Sequence, residues 1–267
     1  MNLRTLMVVS DPAISAYVAA HGVDRLFVDL EWMGKAERQP GDTWKSRLTP
    51  EGVSAIRNAA PEAEMMVRVN PFHEGTHTEV DDAIARGADV LMLPMFRDAE
   101  TVARFRDMVA GRAGIMPLVE TKSALGAMPE IAALAPESLY IGLNDLHLDL
   151  GMKFMFQPLA DGMLDDPCAS LRAAGVPFGI GGIARVGQGA IPAEMVLAEH
   201  ARLGSEWVIL SRGFHDRAAS VSDLEMQGFG AAVQALKDYA AALTGADDLD
   251  RRHDEFTRTV GDLVARL

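Results

Sequence analysis

Four carboxylates and one arginine each close a short apolar run: Asp29 and Glu31 in "FVDLE", Arg68 (with Asn70) in "MVRVNP", Glu120 in "PLVET" and Asp145 in "IGLNDL". Side chains on a strand alternate faces, so Asp29 and Glu31 point the same way. If the runs are strands of one sheet, their ends bring the five groups into one pocket. Carboxylates gathered away from water repel one another and are costly to desolvate unless protons or a cation compensate. A bound cation is the simplest compensation. With oxygen ligands and no His/Cys set at zinc spacing, the chemistry favours Mg2+, with Mn2+ or Co2+ as substitutes. Arg68 suits an anionic substrate or a developing oxyanion. The plainer alternative makes Glu120 and Asp145 strand-end caps or ion-pair acids, and Arg68 their structural partner.

The elements that must position these groups alternate along the chain. Apolar runs at Leu6–Val9, Leu26–Leu30, Glu64–Val69, Val90–Leu93, Ile115–Val119, Leu139–Ile141, Phe178–Ile180 and Trp207–Leu210 are strand candidates. Helical patterns lie between them, opened by signals such as Asp11-Pro12 and Thr49-Pro50, a cap residue followed by proline. Repeated βα units imply a parallel sheet. Eight of them within a single domain spanning 1–267 fit a (β/α)8 TIM barrel, although an open doubly wound sheet can be cut from the same pattern. In a barrel the active site lies at the C-terminal strand ends, where all five groups fall. Residues 222–267 are then extra C-terminal helices: Phe229, Val233, Leu236, Ala240 and Leu243 suit one apolar stripe, Phe256, Val260, Leu263 and Leu267 another. Such stripes need a partner surface, the same barrel or a neighbouring subunit. A homo-oligomer with contacts through these helices is expected.

Composition narrows the partners. A net charge of −13 argues against nucleic acid, whose binding is led by Lys and Arg. The first apolar run is broken by Asp11 and Pro12, so it reads as neither a secretory signal nor a membrane span. One cysteine, Cys168, fits a reducing compartment, and a cytoplasmic protein is expected. Two segments leave alternatives open. Lys35, Arg38, Lys45 and Arg47 in the long connection after the second strand suit an anionic substrate tail or a solvated loop face. "GIGGIARVGQG", from Gly179, matches a dinucleotide fingerprint only in outline. It lacks the acidic residue such a site requires, so its glycines are expected instead to let backbone approach a ligand.

The segments "VRVNP", "GADVLMLPMFRDAETV", "PLVET" and "IGLNDLHLDLG", in that order, resemble the HpcH/HpaI aldolase and citrate lyase β-subunit family of the phosphoenolpyruvate/pyruvate barrel superfamily. The resemblance covers roughly Leu3 to Phe214. It implies that Glu120 and Asp145 hold a divalent metal and that Arg68 binds a 2-oxo acid and stabilises its enolate. It also implies that the backbone amides of Leu143 and Asn144 take the substrate carboxylate. Asp29 and Glu31 would then support the metal site and Arg68 from behind. One position departs from the aldolases: where they carry a histidine base, this chain has Trp32. The base is left among a water on the metal, Glu31, His73, His77 and His147. The implied activity is carbon–carbon bond cleavage or formation next to a 2-oxo acid, with an aldehyde co-substrate. The "DLE" segment keeps a citrate lyase β-like enzyme acting on an acyl-CoA open. A barrel that lost catalysis and binds a metabolite or partner is the third reading. A trimer or hexamer is expected.

Overall fold

Strands of three to six residues, buried on both faces, need partners on either side and helices outside, and the chain meets that need by closing on itself. The computed structural model describes residues 1–34, 48–243 and 246–267. Its strands are β1 (Arg4–Val9), β2 (Arg25–Asp29), β3 (Glu64–Arg68), β4 (Val90–Leu93), β5 (Gly114–Val119), β6 (Leu139–Ile141), β7 (Phe178–Ile183) and β8 (Trp207–Leu210). All pair in parallel and in sequence order, and β8 returns to β1, giving a closed barrel. The eight expected strands are therefore present, and the open sheet is excluded by the β1–β8 pairing.

Helices fill the connections: α1 (Pro12–Ala20), α2 (Pro50–Ala59), α3 (Thr76–Ala85), α4 (Ala99–Val109), α5 (Lys122–Gly126), α6 (Met128–Ala133), α7 (Leu143–Asp149), α8 (Gln157–Ala160), α9 (Asp165–Ala174) and α10 (Ala193–Leu203). Asp11 caps α1 through the Ile14 N–H at 2.9 Å, with Pro12 following as the sequence predicts. Thr49 precedes Pro50 in extended backbone, but its side chain makes no cap bond.

Alternation sorts the strand residues into two cores. Leu6, Phe27, Met66, Met92, Met116, Leu118, Tyr140 and Trp207 fill the barrel interior, while their sequence neighbours pack against the helices. The bottom of the barrel is closed by Arg25, 2% exposed, which reaches Glu64 and Glu137 at 2.7 Å each and lies over the Trp207 ring at 4.3 Å. The glycine at 179 is required by this packing. A Cβ there would sit 2.4 Å from the Tyr140 ring and 2.7 Å from Trp207 Cβ.

After β8 come α11 (Val221–Met226), α12 (Phe229–Ala242) and α13 (Ala246–Val264). Most of their apolar residues pack on the barrel of the same chain, whereas Met226 and Leu267, the last residue of the expected second stripe, are exposed. Phe229, Val233, Leu236 and Ala240 are buried, and Lys237 Nζ donates to Gly22 O at 2.8 Å. On α13, Phe256 meets Phe156 edge to face with centroids 6.2 Å apart, and Val260 is buried beside it. His253 Nδ1 lies 3.0 Å from the buried Glu199 of α10. No described helix is long and apolar enough to cross a membrane. The basic residues Lys35, Arg38, Lys45 and Arg47 lie outside the described residues.

Candidate active site

The C-terminal end of the barrel gathers the ionisable groups on the β2, β3, β5 and β6 side. Asp29 and Arg68 are register partners on β2 and β3. Arg68 Nε donates to Asp29 Oδ1 at 2.9 Å and Nη2 to Asp29 Oδ2 at 2.8 Å, a two-pronged pair that sets the plane of the guanidinium. Glu31 Oε2 stands 3.3 Å from the same Nη2, and the side chain is 2% exposed. Burial works against the charge of Arg68, but Asp29, Glu31 and Glu120 more than offset it and raise its pKa, so it remains a cation. The Phe27 ring lies below it at 5.3 Å.

Glu120 ends β5. Burial raises its carboxyl, Arg68 pulls against the rise, and the negative charges of Asp145 and Glu31 add to it, with the result that it titrates at about 8. Its Oε1 accepts the Met95 N–H at 3.0 Å. Met95 adopts φ 56°, a left-handed conformation that costs a non-glycine residue about 1–2 kcal/mol. Here it turns that N–H toward the carboxylate. On the other side, Gly142 leaves room: a Cβ there would be 3.2 Å from Glu120 Oε2. Asp145 sits in the first turn of α7, close enough for its charge to act on Glu120. Leu143 and Asn144 open the same helix behind an N-cap glycine without a side-chain cap, and the first N–H groups of a helix have no intrahelical acceptor.

Four carboxylates against one guanidinium, with Glu120 driven toward its neutral form, make a cradle that a hard divalent cation would relieve. Among the described residues no three His, Cys, Asp or Glu side chains converge as a ligand group. Glu120 and Asp145 would supply two oxygen donors, which is within the one or two carboxylates Mg2+ takes. The donor set therefore fits the ion.

The histidines separate by their partners. His73 Nδ1 accepts the Gly75 N–H at 3.1 Å while its Nε2 faces Glu79 at 3.1 Å. His77 pairs with Asp81 at 3.2 Å on the outer surface of α3. His147 Nδ1 lies 3.1 Å from Leu143 O, which leaves its Nε2 edge pointing away from the helix backbone. Two contributors act in ways the sequence did not specify. Met95 acts through a backbone N–H, and Asn70 holds the Trp32 and Met33 amides at 3.0 Å each. The start of the glycine run has a packing role. Gly179 makes space inside the barrel, and β7 slips register between Gly179 and Gly182. Tyr140 fills the gap, its hydroxyl accepting the Ile209 N–H at 2.7 Å and donating to Gly181 O.

In a closed (β/α)8 barrel, acids and an arginine at the C-terminal ends of β2, β3 and β5 occupy the place where barrel active sites lie. The family model for HpcH/HpaI aldolase/citrate lyase matches residues 7–180, well over half of the chain, and the protein belongs to that family. Its lyase and aldolase character is that of an enzyme. The fold is shared with the citrate synthase SbnG (TM-score 0.62, 16% identity, covering 85% of this chain and 94% of that one). It is also shared with an HpcH/HpaI aldolase from Desulfitobacterium hafniense DCB-2 (0.61, 17%, 91% and 94%). A third is an HpcH/HpaI aldolase/citrate lyase family protein from Burkholderia cenocepacia J2315 (0.60, 17%, 88% and 95%). No curated protein matches the sequence.

Proposed function

We propose that the protein is a divalent-metal-dependent carbon–carbon lyase of the aldolase type, acting on a 2-oxo acid through a pyruvate-like enolate, with an aldehyde as co-substrate. The observation that supports this most is Arg68, a partly buried cation oriented by Asp29 through two prongs and electrostatically coupled to Glu120. Glu120 and Asp145 would hold the ion, Mg2+ in the first instance, which when bound supplies Lewis acidity toward the ketone and carboxylate of the oxo acid. Arg68 spends Nε and Nη2 on Asp29 and presents its remaining edge to the oxygen where charge develops. The Leu143 and Asn144 amides would receive the substrate carboxylate. His73 and His77 are turned to Glu79 and Asp81, so Glu31 and His147 are the side chains proposed to move the proton. Glu31→Gln and His147→Asn distinguish them. The reading includes a cytoplasmic homo-oligomer, trimer or hexamer, which light scattering checks.

Turnover of 4-hydroxy-2-oxo acids should disappear on chelation and return with Mg2+, Mn2+ or Co2+. Full activity in the presence of a chelator overturns the proposal. A second reading, a citrate lyase β-like enzyme cleaving a 3-hydroxyacyl thioester, is favoured by the "DLE" segment at residues 29–31. Saturable binding of CoA esters, with no turnover of 4-hydroxy-2-oxo acids, selects it.

A further inference from the structure

The backbone on both sides of Glu31 is held by side chains. Its own N–H donates to Asp29 Oδ1 at 3.1 Å, and the N–H of the next residue, Trp32, donates to Asn70 Oδ1 at 3.0 Å. A peptide unit is planar, so holding these two N–H groups fixes the planes that flank the Glu31 Cα. The direction of its Cα–Cβ bond follows from those planes. It carries the side chain into the protein, where Glu31 is 2% exposed and its Oε2 stands 3.3 Å from Arg68 Nη2. Trp32, one residue on, is left 70% exposed.

Of the two clamps, Asp29 also meets Arg68 directly, whereas Asn70 contributes through hydrogen bonds to its neighbours. Asn70 is 3% exposed, and its Oδ1 accepts the Met33 N–H at 3.0 Å as well as that of Trp32. Its Nδ2 donates to Glu79 Oε1 at 2.7 Å and its backbone N–H to Glu79 Oε2 at 3.2 Å. An ionised carboxylate only accepts, so Glu79 takes the NH2 edge and turns the amide oxygen toward residues 32 and 33. Glu79 is itself anchored: it lies in the first turn of α3, where the helix dipole favours a carboxylate, and His73 Nε2 stands 3.1 Å from its Oε1. A single bond suffices to tie down a loop. Here an oriented amide, fixed from α3, grips the segment directly after the acid.

We infer that Asn70, turned by Glu79, is a positioning residue that holds the Glu31 carboxylate on Arg68, so that this acid meets the substrate from a fixed direction. The part Glu31 plays in moving a proton rests on the lyase reading; the aim of its carboxylate does not.

The test uses the full chain labelled with 15N-arginine, in which Arg68→Lys assigns the Arg68 side-chain N–H signals. Glu31→Gln should displace those signals, since a neutral amide replaces the carboxylate facing Nη2. Asn70→Ala should displace them in the same direction by at least half as much, and should add little once residue 31 is glutamine, because coupled sites are not additive. Glu79→Ala leaves residues 31–33 and Arg68 in place and should act in the same direction to a smaller extent. With Mg2+ and a 4-hydroxy-2-oxo acid, Asn70→Ala should lower kcat by about tenfold or more while KM changes less than threefold, because a misplacement of about 1 Å costs up to about 10²-fold. In the Glu31→Gln background the same substitution should change kcat less than threefold. Arg68 signals unmoved by both Asn70→Ala and Glu79→Ala overturn the inference. So does a kcat that Asn70→Ala leaves unchanged, or lowers equally with and without Glu31. Absence of metal-dependent turnover in the wild-type protein overturns the lyase reading instead, because the Arg68 signals still read the aim of Glu31.

Discussion

Arg68 concentrates the chemistry of the mouth in one side chain, and its geometry asks for a guanidinium rather than a positive charge alone. A lysine at 68 keeps the charge but cannot span both oxygens of Asp29 while offering a third donor. Arg68→Lys is expected to lower kcat/KM for the oxo acid by roughly 10²-fold or more, the scale of losing one oriented donor to a developing oxyanion. Steady-state kinetics at saturating metal check this, and an unchanged value would assign Arg68 a purely structural role. The acids and the arginine were readable as types at strand ends. Met95 was not: it contributes an N–H that every non-proline residue has, made useful by a left-handed backbone that methionine does not advertise. Asn70 was visible beside Arg68, yet the direction of its amide depends on Glu79, nine residues on and across a turn.

Elements impose a second set of constraints, clearest in β7. Its glycines resemble a ligand-binding loop in sequence, but Gly179 faces Tyr140 from β6 and Trp207 from β8 in one interior layer. Gly179→Ala forces a Cβ into that layer and is expected to destabilise the fold by about 1–3 kcal/mol, the usual cost of overpacking. Urea denaturation measures it, and a change below about 0.5 kcal/mol, the range typical of surface substitutions, would mean the layer can yield. All eight strands were legible because a strand buried on both faces is a continuous apolar run. The register slip between Gly179 and Gly182 was not, since it is bridged by a tyrosine about forty residues earlier, whose hydroxyl takes the place of a ladder bond.

At the scale of the whole molecule, stability should carry a histidine signature. His200 of α10 is 1% exposed, and its Nδ1 lies 2.8 Å from Ser205 Oγ, which in turn donates to Phe178 O at 3.3 Å. The ring therefore carries its proton on Nδ1, and Nε2 has no hydrogen-bond partner among the described residues. Burial pushes its pKa down to about 4. As pH falls through about 6.5 the unfolded chain takes up a proton that the folded chain refuses until about 4, so this contribution to stability is lost as the pH falls across that window. The stability advantage of the wild-type protein over His200→Gln should shrink by roughly 3 kcal/mol between pH 7 and pH 4, the free-energy equivalent of such a shift. Urea unfolding at the two pH values tests the sign, and a constant difference would remove the explanation.

Local pattern alone determined the eight βα units and the placement of charged groups at strand ends, because strand period, helix caps and apolar runs are written within a few residues of one another. Tertiary structure alone decided what those groups face. Glu120 meets an N–H 25 residues away, Asn70 is turned by Glu79 toward Trp32, and Glu199 meets a histidine 54 residues on. It also settled that the tail helices, whose stripes required some partner, pack on their own barrel. The physical reason is closure: until β8 pairs with β1, no local rule specifies which strand ends become neighbours across the mouth.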